Sequence, residues 1–152
     1  MTENFNNVYP KICRYCSYQE RSHWQVRIKL AEFSLSQNDV EEIVTQLILD
    51  NFLNEERFVK AFVGGKFRIN KWGRNKINQK LKLHRISPAG IKIGMQEIDD
   101  DQYYQTLFNL IEKKMNEVSG GNHLVKLNKV SNYVIGKGFE PELVYEIIKK
   151  WG

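Results

Sequence analysis

Between residues 66 and 85 the sequence sets eight cationic side chains, Lys66, Arg68, Lys71, Arg74, Lys76, Lys80, Lys82 and Arg85, and no acidic one. The chemistry such a row can perform is neutralisation of a matching row of anions, either nucleic-acid phosphates or the carboxylates of an acidic protein groove. The window also decides the sign of the chain. It holds eight of the 23 Lys and Arg residues, against 18 Asp and Glu, so the remainder is slightly acidic. A solvated helix face usually mixes Glu with Lys at i,i+4, whereas Lys76 and Lys80 form a like-charge pair at that spacing, a repulsion that an anionic partner relieves. Phe67 and Trp72 stand among the cations. Aromatic rings in such company can stack on unpaired bases, but a Trp at a helix junction more often fills a core, and that is the reading adopted for Trp72.

The other chemically capable residues form no constellation. Cys13 and Cys16 are three apart, and a zinc site needs about four ligands. His23, His84 and His123 fall in separate segments. The run Asp99, Asp100 and Asp101 resembles a metal-binding cluster, yet a helix N-terminus already favours acidic residues. No phosphate-cradling glycine loop is present. The expectation is therefore no enzyme, no cofactor and no metal.

Bulk composition points the same way. The chain has 152 residues, 41% of them hydrophobic, enough to bury a core. No apolar run approaches the roughly 18 residues a membrane span needs, and the polar start is unlike a signal peptide. Two cysteines are too few for a secreted disulfide framework. A soluble, cytoplasmic, monomeric protein is expected.

The elements that must carry the cations repeat. Aligning Leu35, Ile86 and Phe139 also aligns Val40, Ile91 and Val144 after them, and Leu30, Leu81 and Val134 before them, with Val26, Ile77 and Val130 earlier still. Each anchor is followed by a helix-start signal: Ser36, Ser87 before Pro88, and Glu140 before Pro141. Apolar residues return with helical period, as in Val40, Ile43, Val44, Leu47 and Ile48, in Tyr104, Leu107, Phe108, Ile111 and Met115, and in Leu143, Val144, Ile147, Ile148 and Trp151. The reading is an all-α chain of three tandem three-helix repeats, residues 9–51, 52–98 and 99–152, after a flexible N-terminus at 1–8. Such units gain stability by stacking, which gives an elongated, curved array, right-handed in type. Gly73 opens the second helix of the middle repeat, and Gly138 caps the second helix of the last.

In that alignment the second helices share a positive sign. Arg21 and Arg27 in the first repeat and Lys126 and Lys129 in the third extend the basic window, so stacked repeats would carry one positive face.

Several local motifs resemble one family. They are Asp50-Asn51-Phe52-Leu53-Asn54-Glu55-Glu56-Arg57-Phe58 followed by Ala61-Phe62-Val63, then Gly73-Arg74-Asn75-Lys76-Ile77 leading to Leu81 and Ile86, and Gln19-Glu20-Arg21-Ser22 with Val26 and Leu30. These resemble the RecX family of bacterial recombination regulators. Two features depart from the pattern: His84 stands where a helix-stopping Gly is expected, and Lys137-Gly138 is displaced by one. Arg57, set among acidic neighbours, is read as paired and left off the binding surface. The resemblance implies tandem three-helix repeats and binding to the RecA nucleoprotein filament in its groove. It also implies inhibition of recombinase, ATPase and co-protease activity, hence regulation of DNA repair and the SOS response, with single- or double-stranded DNA within reach. The alternative is a stand-alone nucleic-acid-binding protein using the basic second helices.

Overall fold

The computed structural model describes residues 3–151. Among them the regular elements are helical throughout: α1 Glu3–Tyr18, α2 His23–Leu30, α3 Gln37–Leu49, α4 Glu55–Arg68, α5 Arg74–Leu83, α6 Pro88–Met95, α7 Asp100–Glu117, α8 His123–Gly136 and α9 Pro141–Ile148. The chain is all-α, with its helices in consecutive threes.

Most helix starts are capped locally, Glu140 before α9 excepted. Ser22 Oγ accepts from the Gln25 N–H at 3.1 Å while Gln25 Oε1 accepts from the Ser22 N–H at 2.9 Å, a reciprocal capping box at the head of α2. Ser36 Oγ accepts from the Asp39 N–H at 3.1 Å, and Ser87 Oγ from the Gly90 N–H at 3.1 Å. Asp99 Oδ2 accepts from the Gln102 N–H at 3.0 Å, so the acidic run opens α7.

The repeat is marked by backbone conformation as well. Ser34, Arg85 and Gly138 have φ of 53°, 63° and 105°, each immediately before an anchor residue. Arg85, not His84, is thus the helix stop of the middle repeat, and Gly138 is in register with it. The expected displacement does not exist. The stops close alike: Ile86 N–H donates to the Leu81 carbonyl at 3.1 Å and Phe139 N–H to that of Val134 at 3.3 Å, tying each anchor to the apolar residue five before it.

The chain divides into two compact units. The first comprises Met1–Phe62 with Leu81–Gly94. Phe5, Val8, Ile12 and Cys16 of α1 share its core with Val26 and Leu30 of α2 and with Ile43, Val44 and Leu47 of α3. Phe5 and Val8 lie in the stretch expected to be flexible; α1 instead begins at Glu3, because burying those side chains stabilises by about 1.5–3 kcal/mol each. His84 closes another part of this unit. Its Nδ1 lies 2.8 Å from Ser22 Oγ, and its ring packs 5.3 Å from Trp24, 5.0 Å from Phe58 and 5.3 Å from Phe62.

The second unit comprises Val63–Lys80 with Met95–Gly152. Its buried side chains include Val63, Phe67, Ile77, Tyr103, Leu107, Ile111, Val130, Val134, Phe139, Val144 and Ile147. Tyr103 rather than Tyr104 heads the buried stripe of α7, at 1% exposure. Helix α4 places Phe58 and Val59 in the first unit and Val63 and Phe67 in the second. A three-helix repeat of about 50 residues has few buried positions of its own, so the middle repeat is divided between two cores.

Candidate functional site

The basic window is divided too. Lys66, Arg68, Lys71, Arg74, Lys76 and Lys80 belong to the second unit with Lys126 and Lys129, whereas Lys82 and Arg85 belong to the first with Arg21 and Arg27.

In the second unit Lys66 and Lys76 meet on one ring. Their Nζ atoms lie 4.9 and 4.4 Å from the centroid of Trp72, which is half-buried. Trp72 N–H donates to the Lys66 carbonyl at 3.0 Å, closing α4 over Lys71, whose φ is 58°. Trp72 is therefore a partial plug with cations on its open side. Phe67 is 3% exposed against Tyr103 and presents no ring for stacking.

Three expected binding cations already have partners. Arg74 Nη2 is 2.6 Å from Asp100 and Nη1 is 3.5 Å from Glu140, with the guanidinium 3.9 Å from the Tyr103 ring centroid. Arg74 thus braces the second unit. Arg21 stacks 3.8 Å from the Tyr15 ring and its Nε donates to the Tyr15 carbonyl at 2.9 Å. Arg27 forks onto Glu41 at 2.7 and 3.2 Å, which holds that carboxyl below its usual range. Arg68, Lys71, Lys80, Lys82, Arg85, Lys126 and Lys129 make no ion pair among the described residues.

Arg57 is paired as expected, but with a distant partner. Its Nε lies 2.6 Å from Glu20 Oε1, while its two terminal nitrogens donate to Oδ1 and the carbonyl of Asn51 at 3.1 and 3.0 Å. This pair joins two of the motifs that carried the family resemblance.

Sequence reasoning missed a groove in the second unit. Phe67, Arg68 and Lys71 line one side of it, and Gln102, Gln105, Thr106 and Asn109 of α7 line the other. Uncharged polar side chains on a helix give no charge signal. Only their spacing of three and four could have marked them.

Among the described residues no group of three or more His, Cys, Asp or Glu side chains is placed to hold a metal ion, and no helix is long and apolar enough to cross a membrane. Burial raises both thiols, that of Cys16 to about 11, so neither is a ready nucleophile at neutral pH.

Comparison with known proteins finds a matching domain over this arrangement. Residues 54–93, which contain the whole basic window, match the family model of the RecX second three-helix domain. The chain is similar to RecX proteins over that domain. It is 24% identical to the regulatory protein RecX of Bacillus cytotoxicus over 142 residues, covering 93% of this chain and 53% of that one. It is 25% identical to the regulatory protein RecX of Lactobacillus gasseri over 136 residues, covering 90% of this chain and 50% of the relative. The chain thus spans about half the length of these curated relatives. Its fold is similar to the crystal structure of RecX from Lactobacillus salivarius, with a TM-score of 0.86 at 22% identity, covering 99% of this chain and 97% of that one.

Proposed function

We propose that this chain is a regulatory protein that binds the RecA nucleoprotein filament in its groove and inhibits its recombinase, ATPase and co-protease activities, thereby regulating DNA repair and the SOS response. It acts as a monomer in the cytoplasm, without a cofactor. The observation that carries the reading is the coincidence of the matched RecX domain at 54–93 with the acid-free basic window. Cations in that window without an ion pair, Arg68, Lys71, Lys80, Lys82 and Arg85, supply the counter-charge for phosphate or for acidic side chains on the filament. Lys126 and Lys129 extend it within the second unit. Arg74, Arg21 and Arg27 contribute less, since each must first leave an internal partner.

The test is RecA ATPase activity on single-stranded DNA with this protein titrated in. Inhibition at fewer than one molecule per RecA protomer is expected. Inhibition only at ratios that coat the DNA itself would instead favour competition for bare strand, and would sink the filament reading. Charge reversal of Lys80 and Lys82 together should weaken inhibition while leaving the melting temperature nearly unchanged. The pair Lys76 and Lys80 is less suitable, because Lys76 also covers Trp72 and its β-carbon lies against Gly138.

A further inference from the structure

The groove of the second unit has a composition that the basic window alone does not explain. Gln102, Gln105, Thr106 and Asn109 lie at helical spacings and present one uncharged polar face of α7. Lys113, exposed, continues that face one turn further on. Gln105 Nε2 donates to Asn109 Oδ1 at 2.8 Å, which still leaves the Gln105 carbonyl and the Asn109 amide nitrogen to meet another molecule. Opposite them stand Arg68, from the last turn of α4, and Lys71, just beyond its end. No carboxylate lines the groove.

Two classes of polyanion could satisfy the two cations. An acidic peptide side chain offers acceptors only. A row of carboxamides offers donors and acceptors together, which matches the edges of nucleobases rather than a row of carboxylates. Base edges lie open in an unpaired strand, and single strands are where proteins read them most readily.

Lys71 adds a second mark. It holds a left-handed conformation, φ 58°, at a helix end where glycine has no β-carbon penalty. A lysine there keeps a cation at the rim of the groove against the local backbone preference.

We infer that this groove binds single-stranded nucleic acid, with phosphates on Arg68 and Lys71 and base edges on Gln102, Gln105 and Asn109. The inference deepens the filament reading by naming DNA as a ligand of the second unit, and it rests on that reading only for which strand is met in the cell.

The experiment is fluorescence anisotropy of a short labelled single-stranded oligonucleotide with the full chain, over a range of salt, without RecA. Each phosphate contact contributes about 0.7 to the slope of log affinity against log salt, so R68Q/K71G should lower that slope by about 1.4. Q105A/N109A should weaken binding roughly tenfold with the slope unchanged, because it removes base-edge contacts and no charge. K71G by itself separates binding from folding: it should raise the melting temperature while lowering affinity. Unchanged slopes and affinities in all three variants overturn the inference. So does wild-type affinity for bare strand combined with lost RecA ATPase inhibition, which would mark the groove as a protein contact and leave the filament reading standing. If the variants behave as expected but the wild type fails to inhibit RecA, the groove stands and the filament reading falls.

Discussion

Gly73 lies against Gly138 so closely that a β-carbon on Gly73 would sit 2.3 Å from the Gly138 carbonyl carbon and 2.3 Å from the Phe139 nitrogen. Two hydrogen bonds fasten the approach, Gly73 N–H to the Lys137 carbonyl at 2.8 Å and Asn75 N–H to that of Gly138 at 2.9 Å. The head of α5 is thereby pinned to the end of α8 within the second unit.

Gly73→Ala should therefore be among the most damaging small substitutions in the chain. The obstruction is backbone, which cannot swing aside, so the expected loss is at the upper end of the ~1–3 kcal/mol typical of overpacking. Gly65→Ala in α4 is the control. A β-carbon there meets nothing within 4 Å, so its helix preference should show as a gain of up to about 1 kcal/mol. Urea denaturation of both variants decides, and equal effects would refute the close-approach argument.

Tyr103→Phe isolates one hydroxyl. That group accepts from the Arg74 N–H at 2.9 Å and donates to Glu140 Oε1. The phenyl ring keeps the contacts with Phe67, Phe139 and the Arg74 guanidinium. Losing the hydroxyl leaves the buried end of the network unmatched, a cost of about 1–3 kcal/mol. A change in unfolding free energy below ~0.5 kcal/mol would mean that water replaces the hydroxyl without loss.

Arg85→Gly should stabilise the fold and weaken function. At φ 63° the arginine carries the left-handed penalty that glycine escapes, so the midpoint of urea unfolding should rise, by up to about 1 kcal/mol in free energy. RecA ATPase inhibition should fall in the same variant. Parallel loss of both properties would show that Arg85 supports the fold instead.

Alkaline pH should destabilise the protein earlier than acid chemistry on its surface would suggest. Burial, first among the causes, raises the Cys16 thiol to about 11 and raises the phenols of Tyr9 and Tyr103. A group whose folded pKa is raised contributes stability that is complete below its unfolded value and lost as pH climbs toward the folded one. The unfolded chain thus releases the thiol proton first, from about pH 9, and the phenol protons follow from about pH 10. The melting temperature should decline across that window, and Cys16→Ala should delay its onset. A flat profile from pH 8 to 11 would contradict the burial of these groups.

Much of the fold was legible because it is written in local signals. Ser36, Ser87 and Asp99 each mark a helix start by accepting from an N–H three residues on, and Pro141 does so through its own fixed backbone angle. The misreadings lie where a distant partner decides. His84 looked like a misplaced helix stop, yet it is a ring packed among Trp24, Phe58 and Phe62, and the stop is one residue later. Arg57 was expected to pair with neighbouring acids and instead reaches Glu20, 37 positions away. Phe5 and Val8 looked like part of a flexible end because their partners in α2 and α3 are far along the chain.

The candidate site divides in the same manner. Charge is a property of residue type, so the acid-free window from 66 to 85 could be found by counting. Which of its cations are available could not be found that way. Arg74 is held by Asp100 and Glu140, Lys66 and Lys76 meet on Trp72, and Arg68 and Lys71 line a groove with residues of α7.

The sequence by itself determined the helices, their grouping in threes and the placement of positive charge, because helical period, capping and ionisation depend on residues within a turn or two. Only the tertiary structure decided that these helices form two cores, that Arg74 is an internal brace, and that the amide face of α7 shares a groove with Arg68 and Lys71. Those outcomes depend on side chains brought together across dozens of residues, where burial and pairing outweigh local preference.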